Sequence, residues 1–215
     1  MKLPSIAFLI LAIIASLSAG CSRREQSDVR STETCTGQFS MTDQGDIHAV
    51  LPTDSGMHGI WDPQAFKNVC SQAVWEKSFI ENRDIEVFIK AGSFVPMYVH
   101  SDGAPLIHVR IARNNAKAAL LTSEKQYVAK ESDEYLFVST GALAVSGIEY
   151  IGRLAPMAAK MTPLGVGRWS VRVVELNAPH SPDGSASPDI PDMVVLVNPE
   201  SLPATKYRQS VETFR

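Results

Sequence analysis

Histidine, serine and aspartate stand together twice in this chain, as His100-Ser101-Asp102 and as His180-Ser181-Pro182-Asp183. These are the residue types of nucleophilic catalysis, in which a base takes the proton of a hydroxyl and an acid orients the base. Their spacing argues against that use, because neighbouring side chains on an extended chain point to opposite faces and cannot form the relay. Turn chemistry, with Asp and Ser bonding nearby backbone, accounts for both stretches. His48, His58, His100, His108 and His180 could ligate a metal, yet none has a partner at ligand-pair spacing on an identifiable helix or hairpin. G-x-S-x-G, H-E-x-x-H, C-x-x-C and G-x-G-x-x-G are all absent. The expectation is no catalytic set, no metal and no cofactor. A hydrolase assembled from dispersed His, Asp and Ser residues is the alternative.

A second constellation is basic. His108 and Arg110 fall on the outward positions of one alternating segment and Arg168 and Arg172 on those of another, with Arg113 and Arg153 near turns. If the two segments are neighbours, these six residues form a patch for acidic protein loops or carboxylates, which Arg can grip bidentately. A solvated polar strand face explains the same pattern. Phe94, Tyr98, Tyr127, Tyr135, Tyr150 and Trp75 could likewise stack on sugars, although core packing is the commoner role of such residues in a β domain.

The elements that must position these residues are mostly strands. Ile107, Val109 and Ile111 alternate with polar residues, as do Trp169, Val171 and Val173, and Ile85, Val87 and Ile89 are read the same way. Further strands are expected over 48–51, 94–100, 118–122, 135–140, 143–151 and 193–197, separated by turn signals such as Ser101-Asp102-Gly103 and Asn114-Asn115. Asp62-Pro63 starts a helix, with Phe66, Val69, Cys70 and Ala73 at helical spacing, expected to run over 63–79. Many short strands after one helix predict a mainly β fold: an antiparallel sandwich or a barrel with one N-terminal helix. Gly167-Arg168-Trp169-Ser170-Val171-Arg172-Val173 resembles a strand of immunoglobulin-like modules. Four prolines within 178–192 mark a long surface loop, and a loop on a rigid sheet can carry binding.

The N-terminus says where the protein works. Lys2 precedes an apolar run over 6–15, too short to remain as a spanning helix, which needs about 20 residues, and small residues follow. This is a secretory signal over 1–20. Ser18-Ala19-Gly20-Cys21 resembles the lipobox of bacterial lipoproteins, with Ser18 at the position the family gives to leucine. The resemblance implies a lipidated (palmitate-bearing) Cys21 at the mature N-terminus, and Ser22 in place of Asp implies sorting to the outer membrane, facing the periplasm. Residues 21–34 read as the anchor and a polar tether, reaching at most about 45 Å, and 35–215 as a single domain. With Cys21 consumed, Cys35 and Cys70 remain as an even pair for a disulfide in an oxidising compartment. Closing that loop would constrain the unfolded chain by about 4 kcal/mol.

Lys2 is the one charged residue of the leader, so the remainder holds 19 basic against 23 acidic residues, a net charge of −4. That balance, with export, argues against nucleic acid as a partner, and none is expected. The reading is a membrane-anchored module that holds a periplasmic protein, as inhibitor, immunity or envelope-assembly lipoproteins do. A hydrolase and a binder of glycan or peptidoglycan fragments are the alternatives.

Overall fold

The computed structural model describes residues 45–152, 158–177, 190–200, 203 and 206–214. The chain divides into two compact units, 1–32 and 33–215, and every described residue belongs to the second. The leader, Cys21, the tether, Cys35, Arg153 and His180 lie outside the described residues.

Among the described residues, ten strands form two sheets. The larger contains β1 (Ile47–Val50), β4 (Leu106–Ile111), β10 (Met193–Pro199), β9 (Gly167–Leu176) and β5 (Val128–Glu131) in that order, with β6 (Tyr135–Ser139) also paired to β9. The smaller has the order β3 (Phe94–Tyr98), β2 (Met57–Trp61), β7 (Ala142–Gly147) and β8 (Lys160–Pro163). Inward rows from both sheets, including Ile107, Val109, Val171, Val173, Val195, Ile60 and Val145, merge into one core. This is the sandwich-like arrangement expected, and no closed barrel forms among the described residues. Pairing is antiparallel except between β4 and β10, which run parallel.

The helical region departs from expectation. Asp62 is buried and its Oδ1 accepts the Gln64 and Ala65 amides, while its carboxylate also takes the Thr140 amide at 2.6 Å and the Thr140 hydroxyl. Residues 63–68 are held as turns, and the first helix is the shorter α1 (Gln72–Phe79). A second helix, α2 (Asn82–Ala91), occupies the segment read as a strand through Ile85, Val87 and Ile89. Ile85 and Ile89 share one face at i, i+4 and are buried, whereas Val87 is 60% exposed, the opposite of a strand row. Lys90 pairs with Glu86 one turn back, and Gly92 closes the helix at φ 74. Both helices cover the aromatic cluster of Phe66, Phe79, Phe88 and Phe94. Residues 118–122, expected as a strand, are irregular.

Cys70 is disulfide-bonded. The sulfur it joins lies outside the described residues, as do both other cysteines, so its assignment to Cys35 belongs with the proposals below.

Candidate functional site

After β4 the chain makes a two-residue turn in which Asn114 and Asn115 both adopt positive φ, 50° and 65°, and Arg113 and Ala116 exchange backbone hydrogen bonds of 3.1 and 2.7 Å. Asparagine tolerates this left-handed backbone, and two such residues make the tight turn that reverses a strand. The chain then crosses the outer face of the larger sheet as a strap. Ala118, Leu120 and Tyr127 pack on Val174, Leu176, Val194 and Leu196, a second small core behind the first. Asn198 fastens the strap by accepting the Ala118 amide at 2.8 Å and donating to the Ala118 carbonyl at 3.2 Å.

Glu124 is the deeper fastening. It is fully buried, its two oxygens accept Arg110 Nη1 and Nη2 at 2.6 and 2.5 Å, and it takes the Leu121 amide at 2.8 Å. Burial alone pushes the Glu124 carboxyl up. The Arg110 and Leu121 hydrogen bonds and the Arg110 charge outweigh it and hold the group below the ordinary carboxylate range.

Between this strap and β9 and β10 lies an open groove of ≈ 750 Å³. Its apolar lining includes Leu196, Ala118 and Leu120, and its polar lining includes Ser170, Asn198, Lys117 and Lys125. One wall is an ion cluster: Arg172 donates to Glu131 at 2.8 Å and to Glu134 at 3.0 Å, and the second Glu134 oxygen accepts the Ser170 hydroxyl at 2.5 Å. Arg172 lies where the edge passes from β5 to β6. Ser132 bridges that break, donating its amide to the Val173 carbonyl and accepting the Val173 amide on its hydroxyl. A second open depression shares Glu131, Glu134 and Arg172 and is completed by residues 206–210.

Of the expected basic residues, His108 and Arg110 on β4 and Arg168 and Arg172 on β9 share this sheet. β10 lies between the two strands, so they are not the neighbours a single patch required, and each described arginine already holds a carboxylate. Arg110 pairs with Glu124, Arg168 with Glu200 at 2.7 Å, Arg172 with Glu131 and Glu134, and Arg113 with Asp46 at 3.7 Å. His108 stacks instead on His48, its register partner on β1, with ring centroids 4.0 Å apart. Each of these arginines is thus engaged by at least one carboxylate. Glu124, Glu131, Glu134 and Ser170 escaped the sequence reading, although three glutamates within eleven residues of a segment flanked by outward arginines were the available signal.

The remaining candidates disperse. His100 donates from Nε2 to the Glu212 carboxylate (2.8 Å) beside Tyr98, with φ 59, and is exposed. His58 is buried in β2 and donates from Nε2 to the Leu51 carbonyl, 2.8 Å away, leaving Nδ1 without a partner. Among the described residues no group of three His, Cys, Asp or Glu side chains is placed to hold a metal. Phe94 and Tyr135 belong to the core, and none of the six proposed sugar-stacking residues lines the groove.

The two imidazoles carry a pH prediction. Burial lowers His58, and burial with the neighbouring His48 and Arg110 lowers His108 from 6.5 to about 4. The unfolded chain therefore binds protons that the fold refuses, so this stability is complete above pH 6.5 and is lost as pH falls toward 4. Thermal midpoints should decline from pH 7 to pH 4.5, and His108→Gln should flatten that decline. An identical slope in the variant would show that His108 does not contribute.

No protein family and no curated protein matches this sequence. Among solved structures, the chain titled "Crocagin biosynthetic gene J" is similar over 74% of this chain and 100% of its own length, at 16% sequence identity and a TM-score of 0.46.

Proposed function

We propose that this chain is a lipid-anchored protein of the bacterial outer membrane whose β-sandwich faces the periplasm and holds another protein, in the manner of inhibitor, immunity or envelope-assembly lipoproteins. The observation that carries the reading is the pairing of an export signal ending in Ser18-Ala19-Gly20-Cys21 with a groove that is open and walled by satisfied ion pairs. Such a surface suits a partner that brings its own shape. The alternatives have less in their favour. A hydrolase working in the groove would have Glu134 beside the Ser170 hydroxyl, and that carboxylate is already paired with Arg172. A glycan binder would need rings in the groove, and its lining offers none.

Intact-mass analysis of the protein purified from membranes tests the anchor and the proposed Cys35–Cys70 brace together. The expected mature chain begins at Cys21, carries added acyl mass, and gains two hydrogens on reduction. Cys21→Ser should move the protein from the membrane to the soluble fraction. An unmodified Cys21 in the wild-type protein would end the anchored reading.

A further inference from the structure

Every arginine that lines or borders the groove is spent on an internal carboxylate, but two of its cations are not. Lys117 and Lys125 both line it, both are exposed, and neither forms an ion pair among the described residues. Counting all charged lining residues, Arg113, Lys117, Lys125 and Arg172 stand against Glu131, Glu134 and Glu200, a net charge of +1. The whole chain is acidic at −3, so the groove is a local reversal of the protein's own sign. Charges elsewhere on the chain would slow an acidic partner. Here two free ammonium groups would receive it.

The apolar floor restricts the kind of partner. Leu196, Ala118 and Leu120 offer contact but no further hydrogen-bonding side chain, and Asn198 has both its amide groups engaged with Ala118. An occupant must therefore bring apolar side chains for the floor and carboxylates for the rim. The two alternate in an extended chain, whose successive side chains point to opposite sides. A volume of ≈ 750 Å³ lies within the range of ligand-binding clefts, room for a few side chains of such a segment.

We infer that the groove between the strap and β9 and β10 seats an extended acidic segment of the partner protein, with Lys117 and Lys125 as its carboxylate receivers. This rests on the protein-binding reading above and names the chemistry of the partner. Because the lysines are exposed and unpaired, reversing them should leave the fold intact. The effect falls on encounter and salt dependence more than on stability.

The test uses the full mature chain in detergent micelles and two fluorescent peptides of about eight residues, one alternating Glu with Ala and Leu, the other with Lys in place of every Glu. Anisotropy should show saturable binding of the acidic peptide alone. Lys117→Glu with Lys125→Glu should weaken it at least about tenfold, as should raising salt from about 50 to 500 mM. No binding of the acidic peptide, equal binding of the basic one, or indifference to the lysine reversals would overturn the proposal. Crosslinking in whole cells separates the two levels. A stoichiometric partner retained by the double variant would sink the groove and leave the binding module standing, whereas a wild-type protein that crosslinks to nothing would sink both.

Discussion

Glu124→Ala should cost about 3–5 kcal/mol, the range for removing one member of a buried ion pair, because Arg110 would be left beneath the strap with its charge uncompensated. Arg110 is 11% exposed at its side chain and keeps only the Ala119 carbonyl, 3.3 Å away, as a further described acceptor. For a domain of this size the loss corresponds to a fall in melting temperature of about 2–4 °C per kcal/mol. It should also be local in character. The strap's other attachments include the Asn198 clasp, the Asn177 amide on the Tyr127 carbonyl and the packing of Ala118, Leu120 and Tyr127, so hydrogen exchange should accelerate over 117–127 before the inner core opens. Replacing both partners, Arg110→Met with Glu124→Leu, should recover most of the stability, since the desolvation penalty then disappears. If the single and double variants are equally unstable, the strap is held by packing and not by the ion pair. Acid should weaken the same contact: Glu124 sits below its ordinary 4.5, so its contribution is present above that pH and is lost as pH falls through the lower folded value.

The parts of this fold that could be read in the sequence are those buried on one side. Ile107, Val109 and Ile111 of β4 and Trp169, Val171 and Val173 of β9 alternate because one face meets the core and the other meets the strap or solvent. β2 is buried at all five positions and β5 exposed at all four, and neither carries an alternation to detect. The Ile85–Ile89 stretch fits both periods, two and 3.6. What decides it is non-local, the aromatic cluster waiting for Phe88 and the Gly92 cap at its end. The site divides in the same way. Outward arginines follow from strand periodicity alone, but their partners come from the strap, from the broken edge at 131–134 and, for Arg168, from Glu200 just after β10. No rule of spacing says that Glu124 will lie over Arg110 or that Arg172 will stand between two glutamates.

Gly59→Ala should be strongly destabilising. Gly59 lies in the middle of β2, paired with Pro96 on one side and Ser146 on the other, and its conformation is ordinary for any residue. Space is what forbids a side chain: a β-carbon there would stand 2.0 Å from Cε2 and 2.6 Å from Cζ of Phe94, inside any tolerable contact. An aromatic end can usually swing away. Phe94 is fully buried and packs edge-on against Phe79, which is itself stacked on Phe88 and tilted against Phe66. Moving the ring means moving that cluster and the helices above it, in an interior packed to near-crystalline density. Overpacking at a site that cannot yield should cost about 3 kcal/mol or more, a fall of about 6–12 °C in melting temperature. Phe94→Ala alone should cost about 3–5 kcal/mol by opening a cavity. The double variant should lose less than the sum, because the alanine methyl enters the space the ring vacates, and a coupling of about 1.5 kcal/mol or more is expected. Strict additivity of the two losses would mean that the ring relaxes around the methyl and that glycine is not required at this position.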